Sequence, residues 1–254
     1  MCIRDSGKVI ESGRSDEIIN RPKTDYAKAL VQSVYSRNKD EGGTAPLVIP
    51  ANRQLLTATD FTVERGGRAL FRPIDFILAK GDVIGVFGPS GIGKTSLGDA
   101  LLQLLPHKGT LSFSQPLARH QKLKLYQDPP EAFAAHQTVG QLINDVIRLH
   151  RLVDPPVTRW LDALGLSAAL LKRRADQISG GELQRLALLR VMLIKPALLV
   201  ADEPTSRLDP ITARHVTQRL VDSCRQTGCT LLLISHDIAQ LENTCDRIIT
   251  LRQQ

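Results

Sequence analysis

The sequence predicts an α/β fold with a largely parallel sheet, interrupted by an inserted helical subdomain. Three observations carry that prediction. From about residue 54 onward, short β-rich apolar runs alternate with helical patterns, as expected when helices connect the strands of a sheet. One such run, "VIGVF", passes directly into a glycine-rich turn and then an amphipathic helix. Between Gln127 and Ser179 the strand pattern stops and a helical period takes over.

Taken in order, the chain opens with "MCIRDS", which reads as a translated transposon-end sequencing adapter and is set aside from the fold. The true start is expected to be missing. Residues 7–36 show a turn, a short helical pattern, a break at Pro22 and a second helical pattern from Tyr26 to Val34. The stretch "NKDEGGTAP" is charged, rich in glycine and closed by proline, so residues 37–53 read as a linker. Strands are expected at 55–63, 74–78, 82–87, 109–113, 122–126, 197–202, 230–235 and 246–251. The segments "TVGQLINDVIRLH" and "VTRWLDALGL" carry the helical period of the insertion. No internal repeat or low-complexity tract is visible.

The bulk numbers restrict the function. A chain of 254 residues with 42% hydrophobic content buries one good core, giving one domain or a domain plus an appendage. The longest apolar runs, "PALLV" and "CTLLLI", fall far short of the ~20 residues that cross a bilayer. The net charge of +7 suits an anionic partner, but the basic residues are dispersed and aromatics make up only 4%. That argues against nucleic acid, which needs a basic patch and stacking rings. Cys2, Cys224, Cys229 and Cys245 have neither zinc spacing nor a paired framework, so free thiols in a reducing cytoplasm are expected.

The chemistry concentrates at strand ends. "VIGVFGPSGIGKTSLGDALLQLL" contains G-x-x-x-x-G-K-T between an apolar strand and a helix. Gly88, Pro89, Ser90, Gly91, Ile92, Gly93, Lys94, Thr95 and Ser96 form the candidate phosphate cradle. Its glycines let backbone N–H groups converge on the phosphates, Lys94 reaches the terminal oxygens, and the Thr95 hydroxyl suits Mg2+. "PALLVADEPTSRLD" ends a second strand in Asp202 and Glu203. Asp202 suits Mg2+ and Glu203 suits activation of water. "LLLISHDI" ends a third in His236, a hydrogen-bond donor to a terminal phosphate. Gln127, in "LKLYQDPP", has an amide able to reach Mg2+ or the attacking water. Taken singly, the acidic pair also reads as a helix cap, the histidine as structural and the glutamine as a surface residue.

"DQISGGELQR" adds a second anion site, because Ser179, Gly180 and Gly181 precede a helix whose N-terminus has unpaired N–H groups. One nucleotide does not need two such cradles.

The glycine loop, Gln127, "ISGGE", "LLVADEP", "SRLD" and "SHD", in this order, resemble the nucleotide-binding subunit of ATP-binding cassette (ABC) transporters over residues 54–251. The Ser-Gly-Gly signature separates that family from other P-loop ATPases. The resemblance implies a P-loop NTPase fold of the ABC ATPase type. Its core sheet is mixed and largely parallel, with an antiparallel β subdomain and a helical subdomain at about 128–180. It further implies ATP and Mg2+ as ligands, with Gln127 and His236 joining Glu203 in catalysis. Two cassettes pack head to tail, so Ser179, Gly180, Gly181 and Glu182 would serve a nucleotide held by a partner, and Asp209 would lie near the seam. Arg65, in "VERGGR", occupies the place of the family's adenine-stacking aromatic; Phe61 is the alternative. "ISGGE" replaces the commoner "LSGGQ".

Residues 7–36, with "GKVIESG", Pro22, Tyr26 and Leu30, resemble the tail following a cassette in the oligopeptide, dipeptide and nickel importer group. The other reading of residues 7–36 is an unrelated N-terminal leader. The resemblance implies that the chain is the C-terminal cassette, residues 54–254, of a fused two-ATPase protein. Its expected partners are that upstream cassette or a second copy, an integral-membrane permease and a substrate-binding protein, at the inner face of the cell membrane. The alternatives are a soluble ABC ATPase of DNA maintenance or the ribosome, and a regulatory cassette with little turnover. About 84 residues separate Lys94 from Ser179, too few for the long coiled coil of the DNA-maintenance relatives.

Overall fold

The computed structural model describes residues 2–5, 8–14, 17–18, 21–24, 26–28, 49–126, 133–134 and 136–253. Five strands form a parallel sheet in the order β12-β7-β11-β10-β9: β7 (Val83–Phe87), β9 (Lys122–Leu125), β10 (Leu198–Asp202), β11 (Thr230–Ile234) and β12 (Arg247–Thr250). Every pairing in it is parallel. The two-residue period of a strand divides its side chains between two cores. Ile84, Val86, Leu198, Val200, Leu232 and Ile234 belong to one core, and Val83, Leu199, Ala201, Leu231 and Leu233 to the other.

The first core is closed by helix α1 (Lys94–Leu101) and by an antiparallel sheet of order β6-β3-β8. Its strands are β3 (Gln54–Thr62), β6 (Ile74–Ala79) and β8 (Lys108–Phe113). The mixed character expected of the core thus resolves into two sheets, one parallel and one antiparallel. A short hairpin, β4 (Glu64–Arg65) with β5 (Arg68–Ala69), turns through Gly66 and Gly67, both at positive φ. All eight strands expected from the sequence are present. Helix α1 lies unusually close to β10, because a Cβ on Gly98 would sit 2.6 Å from Val200 Cγ1.

The helical insertion contributes α2 (Val139–Leu149) and α3 (Val157–Ala163). α2 starts at a capping box in which the Thr138 hydroxyl accepts from Gln141 N and Gln141 Oε1 accepts from Thr138 N. Its buried residues, Val139, Leu142, Ile143 and Val146, follow the i, i+3, i+4, i+7 stripe. α4 (Gly180–Ile194) then returns the chain to the sheet. α5 (Pro210–Thr227) has Asp209 at its N-cap, proline at the first turn and Gly228 in the left-handed region at its end. α6 (Ile238–Thr244) precedes β12. Among the described residues no helix is long and apolar enough to cross a membrane.

Near the start, β1 (Cys2–Asp5) pairs antiparallel with β2 (Lys8–Ser12). Residues 2–5 therefore take part in a hairpin, where the sequence reading left them outside the fold. Glu11 accepts hydrogen bonds from Lys23 N (3.0 Å), Thr24 N (3.0 Å) and Thr24 Oγ1 (2.9 Å) just after Pro22, and these hold its carboxyl below the usual range. Ile18 and Ala27 are buried, with Tyr26 packed against them. Leu30, most of the expected linker and Gln127 lie outside the described residues.

Candidate nucleotide-binding site

Parallel strands with helical crossovers place all their carboxyl ends on one edge, where ligands of α/β folds bind. There β7 ends at Phe87, the loop 88–93 follows, and α1 begins at Lys94. Gly93, the N-cap of α1, has φ 103°, a conformation an L side chain resists, and a Cβ there would meet Leu70 Cδ1 at 2.9 Å. Glycine is thus demanded twice over. Ile92 anchors the loop in the core at 3% exposure, whereas Ser90 and Gly91 are exposed. Lys94 Nζ donates to Gly88 O (2.8 Å) and Pro89 O (3.1 Å), folding its ammonium over the loop. Ser96 follows in the first turn of α1.

The structure brings Thr95 and Asp202 together. The Thr95 hydroxyl donates to Asp202 Oδ2 at 2.7 Å, joining the start of α1 to the end of β10. Burial raises the pKa of Asp202; the Thr95 hydrogen bond and the Lys124 charge work against the rise, and Glu203 and Asp99 add to it. Two hard oxygen donors side by side under a phosphate loop fit Mg2+, which takes one or two protein oxygens and leaves its other positions to phosphate and water.

Glu203 has φ 45°, an uncommon conformation for a residue with a side chain. Its N–H donates to Ile234 O at 3.0 Å, and its Oε1 lies 3.2 Å from His236 Nδ1. Glu203 and His236, from the ends of β10 and β11, are therefore in contact. A cleft of about 430 Å³ opens beside them, lined also by Ser206, Arg214, Asp237 and Gln240.

The signature forms a second capping box. Ser179 Oγ donates to Glu182 Oε2 at 2.6 Å and accepts from Glu182 N at 3.3 Å. The Ser179 hydrogen bond holds the Glu182 carboxyl below its usual range. Gly180 and Gly181 lie against the "SRLD" segment, since added Cβ atoms would stand 3.1 Å from Arg207 Nη1 and 3.1 Å from Leu208 Cδ2. Asp209 accepts from Ile211 N (3.1 Å) and Thr212 N (3.0 Å). Its pKa is lowered: burial pushes it up, but the bonds from Thr212 and Ile211 prevail.

Two expectations about adenine divide. Arg65 is exposed at the end of β4, next to the Gly66-Gly67 turn. Phe61, the alternative, is corrected by the structure. It is 0% exposed, stacked on His107 at 4.8 Å and edge-on to Phe76 at 6.1 Å, so no base can reach its ring.

Sequence reasoning missed two residues. Gln184, 0% exposed on α4, accepts from Arg207 N at 3.3 Å and reaches Glu203 O at 3.5 Å, tying the signature helix to the acidic turn. Its signal is a polar side chain amid "LQRLALL". The other is Lys124, ion-paired with Asp99 of α1 at 2.5 Å.

Comparison with known proteins gives the same assignment. The ABC transporter family model matches residues 71–206. A peptidoglycan transport ATP-binding protein, YejF, of Agrobacterium fabrum is 27% identical over 275 residues, covering 99% of this chain and 50% of that protein. A putative peptide import ATP-binding protein of Brucella ovis is 31% identical over 195 residues, 70% of this chain and 62% of the relative. This chain spans about half the length of the relatives it matches end to end. Among solved structures, a putative ABC transporter ATP-binding protein from Pyrococcus furiosus superposes with a TM-score of 0.68 at 21% identity, over 77% of this chain and 96% of that one. The cassette MJ0796, in a dimeric post-hydrolysis state with ADP and Pi, gives 0.65 at 22% identity over 78% and 94%. The chain belongs to the ABC transporter family, as an ATP-binding domain of that family.

Proposed function

We propose that this chain binds and hydrolyses ATP to drive an importer of peptides, nickel or related small solutes. One observation carries the catalytic part: the Thr95–Asp202 contact (2.7 Å) and the Glu203–His236 contact (3.2 Å) lie at neighbouring strand ends on the edge that holds the phosphate loop. Lys94 and the loop N–H groups hold the phosphates. Thr95 and Asp202, with Gln127, hold Mg2+, which neutralises charge on the phosphates when bound. Glu203 orients and deprotonates the attacking water, and His236 fixes the Glu203 carboxylate toward the terminal phosphate.

In this reading the signature serves a different nucleotide. Ser179, Gly180, Gly181 and Glu182 close on ATP bound by a second cassette, either a second copy or one fused upstream, and Asp209 caps α5 at the seam. That the cassette MJ0796, of the same fold, is dimeric in its post-hydrolysis state with ADP and Pi supports this arrangement. An alignment reaching over 99% of the chain, residues before the cassette included, supports the fused form. Similarity to the peptide import ATP-binding protein of Brucella and the metal-staphylopine import ATP-binding protein of Staphylococcus aureus supports a permease partner and a peripheral place on the membrane, and a substrate-binding protein belongs to the same proposal.

Glu203→Gln tests the catalytic reading. Turnover is expected to fall by about 10²–10⁴, with ATP still bound and an ATP-dependent dimer accumulating on size exclusion. Unchanged turnover would remove Glu203 from the base role.

A further inference from the structure

β9 is one of the two edge strands of the parallel sheet among the described residues, and its two faces differ. Leu125 is buried in one core and Leu123 packs against the same core. The alternate residues, Lys122 and Lys124, turn to the other face, where neighbouring strands carry aliphatic side chains. Lys124 is only 7% exposed and pairs with Asp99 of α1 at 2.5 Å. Lys122 meets the Gln103 side-chain oxygen just beyond α1. The two contacts thus run from β9 to the last turns of α1 and the residues that end it. The Lys122 and Lys124 ammonium groups also sit over the Phe113 and Tyr126 rings, at 5.4 and 5.0 Å.

Lysine on an edge strand ordinarily faces water and discourages strand addition. Lys124 is instead turned inward. A buried ion pair gives no stability over a well-packed aliphatic pair, and its distinct property is a fixed geometry. The N-terminus of α1 presents Lys94 and Thr95, so whatever fixes β9 on α1 also fixes it relative to the phosphate site.

We propose that Lys124 is a positioning residue whose ion pair with Asp99 couples occupancy of the phosphate loop to the order of β9, the strand leading into the helical insertion. The inference rests on the nucleotide reading above.

Backbone amide hydrogen exchange on the full chain, with and without ATP and magnesium, tests it. In the wild type, ATP slows exchange in both 94–101 and 122–125, the latter by about tenfold. In Lys124→Met and in Asp99→Asn, ATP still protects 94–101, while protection of 122–125 drops below about twofold. Exchanging the charges, Lys124→Asp with Asp99→Lys, restores it. Asp99→Asn keeps the side-chain shape and serves if Lys124→Met does not fold. Protection of 122–125 undiminished in either single variant, or not restored by the exchanged pair, overturns the coupling. A wild-type chain whose 94–101 ignores ATP overturns the nucleotide reading itself, and this inference with it.

Discussion

Gly98→Ala tests whether the close approach of α1 to β10 holds the nucleotide site together. The new Cβ would stand 2.6 Å from Val200 Cγ1 and 3.4 Å from Ile234 Cδ1. Optimal carbon–carbon contact is about 3.5–4.0 Å, so the overlap is about 1 Å. Forcing a methyl into a packed core costs about 1–3 kcal/mol, and replacing glycine by alanine inside a helix returns roughly 0.5–1 kcal/mol. The net expectation is a loss of up to about 2.5 kcal/mol, centred near 1 kcal/mol, read as a lower urea midpoint at unchanged slope. If α1 backs away from β10 to relieve the clash, the 2.7 Å Thr95–Asp202 contact lengthens. A displacement of that size at a reacting centre costs up to about a hundredfold in rate, so ATP turnover falls further than stability does. Val200→Ala removes the clashing methyls at the cost of a cavity. The double variant is therefore no less stable than Val200→Ala alone, a coupling of about 1 kcal/mol or more. Strict additivity of the two losses would show that α1 and β10 do not touch at Gly98, and the geometry argued for the site would fail with it.

Asp202→Asn is expected to raise the Tm of the nucleotide-free chain at neutral pH while abolishing magnesium-dependent turnover. Because the folded pKa of Asp202 is raised by burial, its carboxylate subtracts stability as pH climbs through the ordinary aspartate range and beyond. The gain in Tm vanishes in acid, where both states are protonated, and a gain independent of pH contradicts the assignment. Asp209→Ala removes the α5 cap and costs about 1 kcal/mol at neutral pH by chemical denaturation. As the folded pKa is lowered, that contribution is present above the unfolded value and is lost as pH falls through the folded one. Arg65→Ala weakens ATP binding while leaving inorganic phosphate binding unchanged in calorimetry; equal loss of both would place Arg65 on the phosphates and not on the base.

The sequence declares its glycine loop, acidic strand end and terminal histidine because each couples a residue pattern to a chain position. Apolar strands in a parallel sheet must all end on one edge, so Lys94, Asp202 and His236 are assigned to one site before any contact is known. Contacts that hold the site without a pattern stay hidden. Gln184 looks like a stray polar residue on an apolar helix, and only the folded chain shows its side chain bridging Arg207 N and Glu203 O. Phe61 fails in the opposite direction. An aromatic near the expected adenine position reads as available, whereas a register shift between Ala58 and Phe61, with Asp60 at φ 51°, turns it into the core that also holds Leu56 and Ala58.

β9 shows where pattern reading stops in principle. "KLKL" alternates polar and apolar, which reads as a half-buried strand with its lysines in water. Period 2 reports that the two faces differ, not what lies against each. On the lysine face the covering element is α1, and the residues that receive Lys124 and Lys122 are Asp99 and Gln103. Those residues read, in turn, as the solvated side of an amphipathic helix. Two surfaces that each look solvent-facing alone satisfy each other when brought together, through one ion pair, Lys124–Asp99, and one hydrogen bond, Lys122–Gln103. β9 and α1 send their apolar side chains into different cores, and on the lysine face it is the polar pairs that join the phosphate helix to the edge strand.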